Sequence, residues 1–145
     1  MNPDNILLSK LPIMKKIISW MLRIVAAIIM AQSLYYKFTG HADSVAIFTA
    51  LGMEPGGRIL IGVLELVAAG LLLFPGTVAY GAIMSWGVMS GAILGHLTEI
   101  GIEGEMFELY LLAVGVWLCS TLLLVLHKDQ IPVLRQMFEK ADSAD

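Results

Sequence analysis

Along this chain the apolar positions gather into long unbroken runs, separated by short clusters of glycine, proline and charge, and do not alternate with polar ones. A helix needs about 20 mostly apolar residues to cross about 30 Å of hydrocarbon. Four stretches come near that length: about Ile17 to Tyr36, Ile59 to Phe74, Thr77 to Thr98 and Met106 to Leu126. Breakers stand where such spans must end, at Thr39-Gly40-His41, Met53-Glu54-Pro55-Gly56-Gly57, Pro75-Gly76 and residues 101–104. The apolar piece Val45 to Leu51 is too short to cross and predicts a short helix lying at the interface. The expected fold is all-α: a four-transmembrane-helix bundle, one integral membrane domain over residues 1–145, with residues 129–145 as a short tail. Connections this short make sequential neighbours antiparallel.

Composition agrees: 58% of residues are hydrophobic and 14% charged, against about 25% charged in soluble domains, so lipid is the expected solvent. A net charge of −3 offers no basic surface for nucleic acid. Cys119, the one cysteine, lies inside an apolar run; it reads as a small packing residue and leaves no thiol pair for disulfide exchange, zinc or iron–sulfur chemistry.

The placement of lysine and arginine predicts orientation. Lys10, Lys15, Lys16 and Arg23 precede or open the first span, and Lys128, Arg135 and Lys140 follow the fourth, whereas Lys37 and Arg58 alone fall on the other side. Both termini are therefore expected in the cytoplasm, with the protein in a bacterial cytoplasmic (inner) membrane. Trp20 on the inner side, and Tyr35, Tyr36, Phe107 and Tyr110 on the outer side, fall where interfacial aromatics belong. Arg23 interrupts the first run, so that run reads as a retained span although Ala31 and Ser33 have cleavage-like spacing. Its head is expected to snorkel to lipid phosphate. Val133, Leu134, Met137 and Phe138 alternate with charges in the tail and predict an amphipathic surface helix.

Glu65, mid-way along the second span, is the most informative residue. A carboxylate at that depth costs about 2.5 kcal/mol or more unless paired, protonated or wetted. Arg58, seven positions earlier, projects within about 20° of it but about 10 Å away along the axis. Measured from the Pro75-Gly76 turn, Glu65 stands about 15 Å up its helix and His96 about 30 Å up the next. Side chains tilt toward the N-terminus of their own helix, so Lys37 and Gln32 lean inward while Glu65 leans outward. The expectation is a polar pocket in the outer half of the bundle, with Glu65 as floor, Gln32 and Tyr36 as walls, and Lys37, Arg58 and His96 near the mouth. The bland alternative is an ion-pair network that only locks helices together. Intramembrane polar contacts average about 0.6 kcal/mol, which is little for burying a charge. With His96 the one histidine in the spans and no thiolate pair, neither metal nor haem is expected. In the third span Gly87, Gly91 and Gly95 recur at four-residue steps, a spacing expected to let helix backbones touch inside the bundle. Trp86 and Trp117 are read as packing residues.

These residues resemble the DoxX-like family of small four-helix membrane proteins. The likeness lies in Tyr36-Lys37-Phe38-Thr39-Gly40 closing the first helix and in Arg58, Gly62, Glu65 and Gly70-Leu-Leu-Leu of the second. Gly91-Ala-Ile-Leu-Gly95-His96-Leu97 of the third completes it, and the resemblance covers roughly Leu22 to Leu126. The family takes its name from a subunit linked to quinone-dependent oxidase and thiosulfate oxidation complexes, so the resemblance implies a quinone or lipid-like ligand. The chain carries no cofactor motif of its own, so electrons would come from a redox partner protein.

Three functions compete on these grounds. The first is an accessory subunit or binding protein for a quinone-like or other small amphiphile. The second is a small transporter or proton-coupled permease using Glu65, which four spans could build only as a homo-oligomer. The third is a membrane scaffold without ligand.

Overall fold

In the computed structural model of the protein, residues 3–131 are described, with side chains from residue 11 onward; the expected tail helix beyond Pro132 lies outside them. Five α-helices follow one another: α1 (Pro3–Thr39), α2 (Ala42–Ala50), α3 (Gly56–Leu73), α4 (Val78–Gly95) and α5 (Glu105–Leu126). All but α2 are long and apolar enough to cross a membrane. Among the described residues there is no strand.

The boundaries follow local chemistry. Gly40, at φ 68°, ends α1 in the left-handed conformation that glycine adopts without penalty. Pro75 opens the single tight turn joining α3 to α4. α1 begins well before the expected Ile17, because Lys15 and Lys16 interrupt the apolar run without breaking the helix; lysine is a good helix former. α4 ends before the expected Thr98, and the chain continues through one wider turn, His96–Ile100, closed by Gly101 N–H donating to His96 O at 3.0 Å.

α1 packs against α3 and α5, and α4 packs against the same two, so the four long helices form a ring with α1 and α4 diagonal. Contacts between opposite ends make each packed pair antiparallel: Arg23 meets Leu72, Gly81 meets Leu72, and His96 meets Tyr110. Small residues fill much of the interior, with Ala26, Ala68, Ala82, Ser85 and Ser120 fully buried beside Met30, Leu72, Val78, Val116 and Leu123. Many other large side chains, among them Ile28, Leu60, Leu94 and Val125, point out. Only 22–39% of each apolar span is buried within the chain. That inside-out distribution suits helices solvated by lipid and joined by close packing of small side chains.

The closest approach is not where the glycine spacing placed it. An added Cβ at Gly87 or Gly91 would meet nothing within 4 Å, whereas at Gly81 it would lie 2.7 Å from Leu72 N and 2.9 Å from Leu71 C. Backbones touch one turn from the Pro75 turn, where that short connection forces α3 and α4 together. Gly95 meets the side chains of Leu51 and Ile100 and no other helix's backbone.

Two arginines tie helix ends to their neighbours. Arg23 is buried; its Nε donates to Leu72 O and its Nη2 to Leu73 O at 2.6 Å, and its guanidinium lies 3.9 Å from the Trp20 ring centroid. It therefore caps the C-terminus of α3 with two of its donors and is not the free, snorkelling head expected from the sequence. The last carbonyls of a helix lack partners and carry negative partial charge, so a cation beside them removes two costs at once. Arg58 does the same at the opposite end, donating from Nη1 to Lys37 O near the end of α1. At the other end Gln130 folds back on the bundle, donating from Nε2 to Pro75 O at 2.6 Å and accepting Ala79 N–H at 3.1 Å, so the expected tail is docked at its root.

Candidate functional site

The sequence between α1 and α3 folds into a roof. α2 crosses the end of the bundle opposite the Pro75 turn and buries Ser44 and Phe48 beneath it. Under that roof lies a cavity of about 740 Å³, to which all five helices contribute. Its walls are mainly apolar, with Met30, Phe48, Leu64, Val88 and Leu112 among them. Gly87 and Gly91 line it where a side chain would fill it. Gln32, Tyr36, Gly91 and Leu94 line it and are also exposed, so the cavity communicates with the outside of the bundle.

Its polar centre is Glu65. The side chain is buried, and its Oε2 sits 2.9 Å from Lys37 Nζ, with Oε1 accepting from the same ammonium at 3.2 Å. Ser33 Oγ lies 2.6 Å from Glu65 Oε2 and 2.8 Å from Met30 O. One hydroxyl proton cannot serve both, and the charge-assisted bond to the carboxylate is the stronger. The carboxylate thus holds two partners, both from α1. Lys37, expected near the mouth, reaches down to Glu65 instead. Its long side chain slants back along α1 while Glu65 slants the opposite way along the antiparallel α3, and the two tilts close the gap.

Ser33 is the site residue that sequence reasoning missed. It stands four positions before Lys37 and hence on the same helix face, a signal the chain offered. Gln32 was favoured in its place. One residue of helix is 100° of rotation, and Gln32 accordingly lines the cavity's exposed edge and makes no hydrogen bond among the described residues. Tyr36 stands beside it, its ring edge-on to Tyr35 and to His41.

Arg58 does not line the cavity. Its Nε lies 2.9 Å from both carboxylate oxygens of Glu54 and its Nη2 lies 2.8 Å from Oε1, one helical turn away. The guanidinium is consumed by that fork and by Lys37 O. It shares a face with Glu65, as the spacing required, but braces the corner where α1, Gly40 and α3 meet.

His96 does line the cavity and is buried. Its backbone carbonyl accepts the Gly101 N–H, and its Nδ1 lies 3.0 Å from Gly101 O. A carbonyl can only accept, so Nδ1 carries the proton and Nε2 of a neutral ring is left as an acceptor. Wider helical turns of this kind often occur at functional positions. Tyr110 packs edge-on against the same ring.

The site therefore offers a donor (Lys37), a carboxylate acceptor (Glu65), a hydroxyl (Ser33) and an imidazole acceptor (His96) around an apolar volume. Binding cavities of about 300–1,000 Å³ with a few convergent polar groups hold small organic molecules. Among the described residues no three histidine, cysteine, aspartate or glutamate side chains come together as a metal-binding group. No family model, no curated protein and no solved structure matches the chain. The likeness to DoxX-like proteins therefore rests on the residues quoted for it.

Proposed function

We propose that this chain is a DoxX-like integral membrane protein, an accessory subunit or binding protein that holds a quinone-like small amphiphile in the cavity beneath α2. In this reading both termini face the cytoplasm of a bacterium, the cavity faces outward, and a redox partner protein carries the electrons. The observation that carries it is the Glu65–Lys37 pair, set in the wall of a mainly apolar cavity that reaches the surface. A ring carbonyl would accept from Lys37, a ring hydroxyl would donate to Glu65 or His96, and an apolar tail would leave by the edge where Gln32 and Gly91 are exposed. An ion pair serving only to lock helices has no need of such a cavity beside it.

Mass spectrometry of small molecules retained by gently purified protein tests this. The wild-type chain should retain a quinone or similar amphiphile and Glu65→Leu should lose it; equal retention by the two would overturn the proposal. Glu65 lining a cavity also gives the permease reading a foothold. Flux into proteoliposomes that disappears in Glu65→Gln, with no retained amphiphile, would favour that reading.

A further inference from the structure

A second cavity, of about 480 Å³, lies at the Pro75 end of the bundle, remote from Glu65. Its lining includes Lys15, Lys16, Ser19, Trp20, Arg23 and His127, and no acidic residue. The two lysines make no ion pair or hydrogen bond among the described residues. Arg23 spends Nε and Nη2 on the α3 carbonyls and keeps Nη1. By covering those carbonyls it also screens the negative end of α3 from anything bound beside it. Ser19 and His127 share a hydrogen bond of 2.6 Å between Oγ and Nε2. Asp129 is near enough to His127 to act on it, and it does not line the cavity.

We propose that this basic notch binds the phosphate of an anionic phospholipid headgroup. Lys15 and Lys16 supply the charge, and Arg23 Nη1, held in place by the α3 carbonyls and the Trp20 ring, a fixed donor. What singles out a lipid over free phosphate is the apolar surface at the rim of the notch. Pro75 and Leu126 line it, Phe74 beside Pro75 is exposed, and so is Leu122, one turn from Leu126 on the same face of α5. Acyl chains can lie on that surface. Basic pockets between membrane helices recognise anionic headgroups in this manner, each nearby lysine contributing about a fivefold gain in binding.

The test uses the full chain in nanodiscs of equimolar phosphatidylcholine and phosphatidylglycerol, released for native mass spectrometry. Phosphatidylglycerol should be retained selectively, and Lys15→Gln with Lys16→Gln should reduce that selectivity about 25-fold, while the double arginine variant keeps it. If the neutral variant does not fold or inserts inverted, the wild type still decides. Selectivity should collapse when salt rises from about 0.1 M to about 1 M, which shortens screening to about 3 Å. Three results would overturn the proposal: no preference for phosphatidylglycerol, a preference untouched by salt, or inorganic phosphate in phosphatidylcholine nanodiscs displacing nothing yet stabilising the protein as much as the anionic lipid does.

Discussion

Substituting alanine at two glycines of one helix should have opposite effects. At Gly81 the new Cβ would lie 2.7 Å from Leu72 N, 2.9 Å from Leu71 C and 3.0 Å from Ala68 O, all backbone atoms that cannot rotate aside. α3 and α4 would have to separate, and overpacking of this kind costs about 1–3 kcal/mol. With rigid backbone opposite, the upper part of that range applies. The gain in helix propensity from Gly to Ala offsets about 1 kcal/mol, leaving Gly81→Ala about 1–2 kcal/mol less stable than wild type. At Gly91 nothing lies within 4 Å, so only the propensity term acts and Gly91→Ala should be more stable by up to about 1 kcal/mol. Equilibrium unfolding in mixed detergent micelles, followed by helical circular dichroism, reads both. A Gly91→Ala that destabilises, with Gly81→Ala neutral, would refute the placement of α3 against α4 and with it the cavity beneath α2.

Further expectations follow from the helix ends and the connecting segments. Arg23→Met leaves Leu72 O and Leu73 O without a donor and should cost about 3 kcal/mol or more in the same assay, since each hydrogen bond from a charged group contributes about 1.5–3 kcal/mol; a Met variant as stable as wild type would show that the guanidinium does not cap α3. Burial first, and the Arg23 charge second, push the His127 imidazole below its ordinary value of 6.5, with Asp129 opposing them. The unfolded chain then protonates before the folded one, so His127 contributes full stability above pH 6.5, lost as pH falls through the lower folded value. The drop in midpoint on acidification should shrink in His127→Gln; an unchanged drop would assign it to other groups. For orientation, in a Cys119→Ala background, Glu103→Cys should react with an impermeant thiol reagent on intact cells and Gly76→Cys should not, and the reverse pattern would invert the bundle.

The spans were legible because length and hydropathy decide them: every long helix lies within a few residues of its expected place except the start of α1, where charge was mistaken for an end. The cluster at Glu65 was legible in part. Side-chain tilt pointed Lys37 and Glu65 toward each other, but Lys37 was still expected at the mouth, because its place at the end of the first span omits the reach of a lysine. The arginines were misplaced for a different reason. A sequence shows the charge of Arg23 and Arg58 but not the unpaired carbonyls at the ends of other helices, which are tertiary neighbours 49 and 21 residues away. The glycine steps misled because spacing defines a face without saying whether it meets a helix or an opening. Gly87 and Gly91 meet the opening.

The account stands or falls on whether the cavity beneath α2 takes an amphiphile through Glu65. The direct measurement is titration of a short-chain ubiquinone analogue into the purified full chain, read by quenching of tryptophan; Trp86 and Trp117 lie together, ring centroids 5.8 Å apart, on α4 and α5. Saturable quenching is expected in the wild type. Glu65→Leu should weaken it about tenfold or more, the value of one hydrogen bond to a charged group, and Gly91→Trp, which fills the cavity, should abolish it. Quenching that rises linearly without saturating, or that is the same in all three proteins, would contradict the central claim.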